Sequence, residues 1–472
     1  MDIIKQKDID LILGKMLSSG GQFSEIYFEE SDSAGFSFID KKVETSSSGT
    51  VSGCGLRLIK GEQTYFASQS NPSVVSLISL AEIFMGQQQT QKQAEPHTTH
   101  GVHCVHCVQV QGEPIKIEQS SIAEITEELL PYLKVIENLD KTLRAKSSQI
   151  KQLSFRVSSG RKSFFVANSN KTTALNKRSS AIFTVAIVMS DGKITQTAHE
   201  VIAEESLKKI KYENIEKVSL VAYQRVSNLL NNAISSPAGE MPIVISSSAG
   251  GTMIHEAIGH SLEADAVQKG ISPVYLGKIG KKVASEKITV MDNATLEGFR
   301  GSYKYDDEGT PGQKTILVEN GILKNYLYDL FTSKKDNVKS TGNGRRESYH
   351  HKPIPRMSNT YIAPGRDNPE DIVKSIEKGI FVTKMGGGQV NTANGDFIFE
   401  VEEGYELNNG KIGRMLRNAS LIGNGPEILN SIDMVGNDIG WQPGTCGKDG
   451  QGVPVLDGQP TLRIPKITIG GK

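Results

Sequence analysis

Apolar positions near the N-terminus recur at helical spacing. Ile9, Ile12, Leu13, Met16 and Leu17 share one face, and Gly20-Gly21 follows as a stop signal. Strand-like runs come next at residues 23–29, 35–43 and 50–59. In the last of them Cys54, Leu56 and Leu58 alternate with Gly55, Arg57 and Ile59, and Lys60-Gly61 predicts a turn into a further run at 63–67. Residues 73–86 predict a helix packed on that sheet. A second helix is expected at about 120–139, where Ile122, Ile125, Leu129, Leu133 and Ile136 form one stripe and Pro131 predicts a kink. Beyond Gln149 the pattern turns to strands at 153–157, 163–166 and 181–189, with Ser159-Gly160 and Asp191-Gly192 as turns. A long helix at 212–234 closes this half.

The Ser/Pro/Gly-rich stretch 235–240 marks the expected boundary between two domains, 1–236 and 237–472. In the second half, Asn320-Gly321, Asn394-Gly395 and Asn409-Gly410 each sit between strand-like runs, the signature of tight hairpins. Its clearest helix is expected at 371–379. The fold class is therefore α+β: an N-terminal α/β domain of helices on a sheet, then a β-rich domain of antiparallel sheet or barrel.

One tract fits neither period. After Gln87, Gln88, Gln89, Gln91 and Gln93, the residues His97, His100, His103 and His106 recur every third position, with Cys104 and Cys107 in the same period. Residues 87–114 read as a biased insertion. Cys104-x-x-Cys107 has the spacing of half a metal site, but no second half-site follows, so adventitious metal affinity is the expectation.

Composition narrows the function. Lys+Arg and Asp+Glu both total 53 in 472 residues, so the net charge is zero. That excludes a broad nucleic-acid or anionic-membrane surface, which needs a cationic excess. Four cysteines in so long a chain do not make a disulfide scaffold. The N-terminus lacks the charge and apolar order of a signal peptide, and 73–86 is too short to span a bilayer. A soluble cytoplasmic protein is expected.

The sharpest chemical signal is PIVISSSAGGTMIHEAIGHSLEAD at 242–265. A short apolar strand enters a small-residue turn and then a helix carrying His255, Glu256 and His260. Imidazoles are good Zn²⁺ ligands and an adjacent carboxylate can serve as a base, but the familiar H-E-x-x-H spacing has here gained one residue. On a regular helix i and i+5 diverge by about 140°, so a shared ion requires a π-turn near Ala257–Gly259, which lowers the divergence to about 50°. Two unrelated histidines on a buried helix fit the spacing as well. A phosphate cradle at 246–252 is a further reading, weakened by the missing Lys and the wrong glycine spacing.

The segment HEAIGHSLEAD resembles the signature of the TldD/PmbA family of metallopeptidases, in the TldD branch that keeps H-E-x-x-x-H. Further blocks resemble that family in order: GCGLRLIKGEQTYFAS at 53–68, PRMSNTYIAPG at 355–365, GGGQVNTANGDFIFEVEEGY at 386–405, LIGNGPEIL at 421–429, CGKDGQGVPVLDGQP at 446–460 and the terminal ITIGGK. Only 87–114 departs from the pattern. The resemblance implies a zinc-dependent peptidase for unfolded or modified peptides, with His255, His260 and Cys446 as ligands. Glu256 is implied as the base that activates the metal-bound water. It also implies a dimer, with a TldE/PmbA-like homologous subunit or with itself. The alternative is a non-catalytic peptide-binding or assembly subunit of the same fold; branches lacking the histidines belong there, and this chain has both.

Glu263 and Asp265 are candidates to orient the histidines. Arg345 and Arg346 are candidates to grip a peptide carboxylate, and His350, beside His351, to contact substrate. The glycine runs at 386–388 and 423–425 read as turns in antiparallel sheet, since neither opens a helix after a strand.

Overall fold

The computed structural model describes residues 4–86, 117, 121–391 and 393–471; the tract 87–114, with its periodic histidines and cysteines, lies outside them. The helix predicted from Ile9 to Leu17 is α1 (Gln6–Ser18). Strands β1 (Phe23–Ile39), β2 (Lys42–Lys60) and β3 (Gln63–Ser70) lead into helices α2 (Val74–Gly86) and α3 (Ile122–Lys146). Then come β4 (Ile150–Asn168), β5 (Thr173–Ser190), β6 (Thr195–Glu204) and helix α4 (Tyr212–Asn231). The six strands form one antiparallel sheet in the order β3-β2-β1-β4-β5-β6. The apolar stripes of α1 and α2 meet Ile26, Phe28, Leu56 and Leu58 at one end. Those of α3 and α4 cover Phe155, Val157, Phe183 and Val185 at the other.

The strands are longer than their apolar runs. Residues 23–29 and the start of 35–43 belong to one strand, and Ser159-Gly160 lies inside β4 rather than at a turn. Ser33 pairs with Gly49 on one side and Gly160 on the other. A ladder satisfied from both sides carries a Ser/Gly-rich stretch that local turn chemistry would break. Helix α3 likewise runs through Pro131 to Lys146, with Ile125, Leu129, Tyr132, Ile136, Leu139 and Leu143 buried along it.

In the second half, strands Lys378–Val390, Gly239–Ile245, Leu462–Gly470, Ala419–Asn424 and Asp396–Asn408 pair in that order. The last pairs back on the first, closing a five-stranded barrel. Beside it lies a sheet ordered Ile322–Leu323, Lys314–Glu319, Val290–Asn293, Asn359–Ile362, Gln451–Gln459, Gly440–Lys448. Most pairings are antiparallel, but Gly239–Ile245 runs parallel to Lys378–Val390 and Asn359–Ile362 parallel to Gln451–Gln459. The architecture is α+β. The helix expected at 371–379 is only Pro369–Lys374, because Lys378 and Gly379 already pair with Asn408 and Leu407. Among the described residues no helix is long and apolar enough to cross a membrane.

The N-terminal sheet meets the second half through buried charge. Arg57 on β2 donates through Nη2 to Glu25 (2.8 Å) and to Glu308 (2.6 Å), all at most 1 % exposed. Arg346 reaches Glu25 as well and lies 4.1 Å from the centroid of the Tyr27 ring. Arg178 of β5 pairs with Asp307 at 3.0 Å. Removing one member strands a buried charge, so Arg57→Ala is expected to destabilise the protein by about 3–5 kcal/mol. Arg161→Ala, which removes an exposed pair with Glu124, is expected to leave the urea midpoint nearly unchanged. Equal midpoints for the two variants would contradict this.

Candidate metal centre

Strand Gly239–Ile245 turns Ile243 and Ile245 into the barrel core and Val244 to the opposite face, against Ile372, Ile376 and Leu407; all three strand residues are fully buried. It ends in a short turn where the Ser246 hydroxyl accepts from the Ser248 N–H. A single α-turn, Thr252–Ile254, follows, then a π-turn over His255–Gly259 and a 3₁₀ turn over His260–Leu262. The widened turn lies where the i+5 spacing requires it. It brings the imidazole rings to a centroid distance of 4.9 Å, nearly perpendicular at 88°.

Close packing holds the helix there. A Cβ on Gly259 would sit 2.0 Å from Met357 Sδ, and one on Gly251 would sit 2.5 Å from the Gly458 nitrogen. The small residues that resemble a phosphate cradle therefore serve a different end: they let the helix lie directly on the strand carrying Asp457 and Gly458.

Cys446 arrives from strand Gly440–Lys448, which forms a hairpin with Gln451–Gln459 and pairs Cys446 with Val453. Its Sγ lies 3.5 Å from His260 Nε2, although 186 positions separate the two residues in sequence. One donor atom from each of His255, His260 and Cys446 falls within 4.8 Å of the others. Zn–N and Zn–S bonds of about 2.0–2.3 Å place neighbouring donors of a tetrahedron roughly 3.5 Å apart, so this donor set fits that ion.

The other ring nitrogens are fixed by carboxylates. His255 Nδ1 is 2.8 Å from Asp457 Oδ1, and His260 Nδ1 is 3.0 Å from Glu263 Oε2. Each carboxylate accepts a hydrogen bond from Nδ1–H, which leaves Nε2 to face the sulfur. Glu263 is itself held by Lys448 at 3.0 Å, and Lys448 also binds Asp265 at 2.6 Å. Glu263 thus orients a histidine as expected, whereas Asp265 acts through Lys448.

The charge balance is strongly coupled. Burial opposes protonation of His260, but Glu263 and Cys446 outweigh it and push its pKa up to about 10. His255 is raised in the same way, burial being overcome by Asp457 and Cys446. Burial works against the Cys446 thiolate, yet hydrogen bonds from the two histidines bring the thiol down to about 6. Burial also opposes ionisation of Glu263, but Lys448, His260 and Arg356 hold it at about 2.

Glu256 follows His255 in the π-turn and lines the same open cleft of 320 Å³, together with Thr445, Gly447 and Lys448. Its carboxylate has no hydrogen-bond or ion-pair partner among the described residues. Arg345, Arg346 and His350 do not line this cleft. Arg345 and Arg346 are buried where the two halves meet, and Arg346 is engaged by Glu25. His350 is exposed, its ring 4.0 Å from that of Tyr349 and its Nδ1 3.2 Å from Ser68 Oγ. His351 Nδ1 lies 3.0 Å from Ser348 Oγ.

Two members of the centre escaped the sequence reading. Asp457 sits in an Asp-Gly pair that looks like a turn but lies within a strand, and Lys448 is one lysine among many. A histidine that holds a metal almost always gives its other ring nitrogen to a carboxylate or carbonyl, so Asp457, in the same resembling block as Cys446, was a legible candidate.

Residues 238–471 match the family described as PmbA/TldA metallopeptidase C-terminal domain, and residues 24–83 match PmbA/TldA metallopeptidase domain 1. A metalloprotease TldD homolog of Buchnera aphidicola is 32 % identical over 490 aligned positions, covering 99 % of this chain and 96 % of that one. A zinc metalloprotease TldD homolog of Saccharolobus solfataricus is 32 % identical over 295 positions, 62 % of this chain and 65 % of its own. Among solved structures, TldE from Thermococcus kodakarensis superposes with a TM-score of 0.72 at 20 % identity, covering 98 % of this chain and all of that one, a likeness of fold. The chain belongs to the PmbA/TldD family of metallopeptidases.

Proposed function

We propose that the protein is a zinc-dependent peptidase acting on unfolded or modified peptides, with Glu256 as its catalytic base. The observation that carries this reading is the convergence of His255, His260 and Cys446, each imidazole backed by a buried carboxylate, beside a carboxylate with no partner of its own. When bound, Zn²⁺ supplies a Lewis acid that activates water towards a peptide carbonyl. His255, His260 and Cys446 would hold the ion, and Asp457 and Glu263, by occupying each Nδ1, leave each Nε2 available to it. Glu256 accepts the proton of the attacking water and delivers it to the departing amine.

An open cleft of 320 Å³ admits a few residues of an extended chain but not a folded domain. Strand Gly440–Lys448 is the last of its sheet, so an extended peptide has a strand edge beside Cys446 to lie along. Membership of the family, and the fold shared with a TldE, support assembly with a TldE-like subunit or with a second copy. The non-catalytic reading lacks such support, since it leaves the donor set and Glu256 without a role.

Elemental analysis beside peptide hydrolysis tests the proposal. Glu256→Gln is expected to retain zinc while turnover falls by about 10²–10⁴-fold. Cys446→Ala is expected to lose zinc and activity together. Asp457→Asn is expected to weaken zinc binding by about 10–100-fold while the fold persists. Undiminished hydrolysis by Glu256→Gln would sink the mechanism. Because His260 keeps its proton well above neutrality and Cys446 is already largely thiolate, zinc uptake at pH 7 is expected to release about one proton or more. Calorimetry in buffers of different ionisation enthalpy measures that release.

A further inference from the structure

A larger cleft, of about 840 Å³, opens between the N-terminal sheet and the second half, walled by Arg178 and Ser179 of β5 and by Arg300, Tyr303, Arg345 and Pro454. The other arginines around it each have a carboxylate: Arg178 has Asp307, Arg346 has Glu25 and Arg161 has Glu124. Arg300 and Arg345 do not. Among the described residues neither has a carboxylate within ion-pair distance, and both are held by backbone carbonyls alone.

Arg345, 1 % exposed, donates through Nη1 to Met357 O at 2.6 Å and through Nη2 to Pro454 O at 2.8 Å. Its guanidinium stands 5.2 Å from the centroid of the Tyr303 ring. Arg300 donates through Nε to Gly444 O at 3.3 Å. That leaves Arg300 Nη1 and Arg345 Nε buried and donating to nothing. Burial and the neighbouring Arg345 charge both lower the pKa of Arg300; burial also lowers that of Arg345, with Arg178 and Arg356, against the opposing pull of Tyr303 and Asp307. A fully buried cation beside a half-buried one of like charge is costly unless an anion joins them.

We infer that Arg300 and Arg345 form a subsite for a carboxylate of the peptide substrate. Guanidinium forks match the planar, two-oxygen geometry of a carboxylate. The place is apt as well. Arg300 is tied to Gly444, two residues before Cys446 on the same strand, a separation of roughly 7 Å at strand rise. The two clefts share no lining residue; the hairpin joins them, since Cys446 of the metal cleft pairs with Val453, which lines this one. The subsite rests on the peptidase reading for the identity of its ligand, but not for the binding itself.

The test is equilibrium binding of a short fluorescein-labelled peptide to the full-length, zinc-supplied protein, measured by anisotropy. The peptide is prepared as the C-terminal acid, as the amide, and as the amide with Glu as its last residue. The acid is expected to bind about tenfold more tightly than the amide. Arg300→Gln and Arg345→Gln are expected to erase that preference while amide binding holds; Arg300, the more exposed of the two, is the safer variant for folding. Recovery of affinity by the Glu-ending amide assigns the site to side-chain carboxylates, and no recovery assigns it to the chain terminus. Equal binding of acid and amide by wild type, or a preference that survives in folded Arg300→Gln, overturns the inference. A protein that prefers the acid but cleaves neither peptide retains the subsite and refutes the peptidase reading instead.

Discussion

Two carboxylate–imidazole hydrogen bonds, Asp457 to His255 and Glu263 to His260, organise the centre. An imidazole free to rotate or change tautomer offers a metal no defined lone pair. With Nδ1 occupied, Nε2 is the remaining donor, and the ring plane is fixed by the protein rather than by the ion. The same carboxylates sustain positive charge on the rings, which draws the Cys446 thiol to its thiolate form. One buried electrostatic arrangement therefore sets the orientation and the charge of His255, His260 and Cys446 together.

The fold supplies these groups from three places that no local sequence window contains. The helix after strand Gly239–Ile245 brings the histidines, while the hairpin of strands Gly440–Lys448 and Gln451–Gln459 brings Cys446 on one arm and Asp457 on the other. The two units can meet because Gly251 and Gly259 present no side chain to Gly458 and Met357. Barrel closure fixes the helix at its start, and pairing of Gln451–Gln459 with Asn359–Ile362 fixes the hairpin in the neighbouring sheet.

Charge also governs the contact between the two halves. Arg57, Glu25, Glu308 and Arg346 form a dry network, with Arg178 and Asp307 beside it. Such pairs contribute little net stability relative to apolar packing, but a misplaced partner is heavily penalised, so they specify one relative placement of sheet and barrel. Against this background of matched pairs, the surplus of Arg300 and Arg345 stands out as a different use of the same chemistry.

The amino-acid pattern by itself determined much of this. Periodicity located α1, α2, α4 and the hairpin turns at Asn320-Gly321 and Asn409-Gly410, because those signals are local: an apolar stripe, or a pair of residues tolerant of positive φ. The i+5 spacing of His255 and His260 called for a π-turn if the two were to share an ion, and the π-turn is there, since helix geometry is local too. Only the tertiary structure decided that Ser/Gly-rich stretches continue as strands and that residues from Lys378 onward join the barrel, because pairing partners distant in sequence outweigh local propensity. It alone separated Arg346, neutralised by Glu25, from Arg345, which is not, and it alone chose Asp457 as the partner of His255. Whether a charge is paired depends on what the folded chain brings within about 4 Å, and that distance is not written in residue spacing.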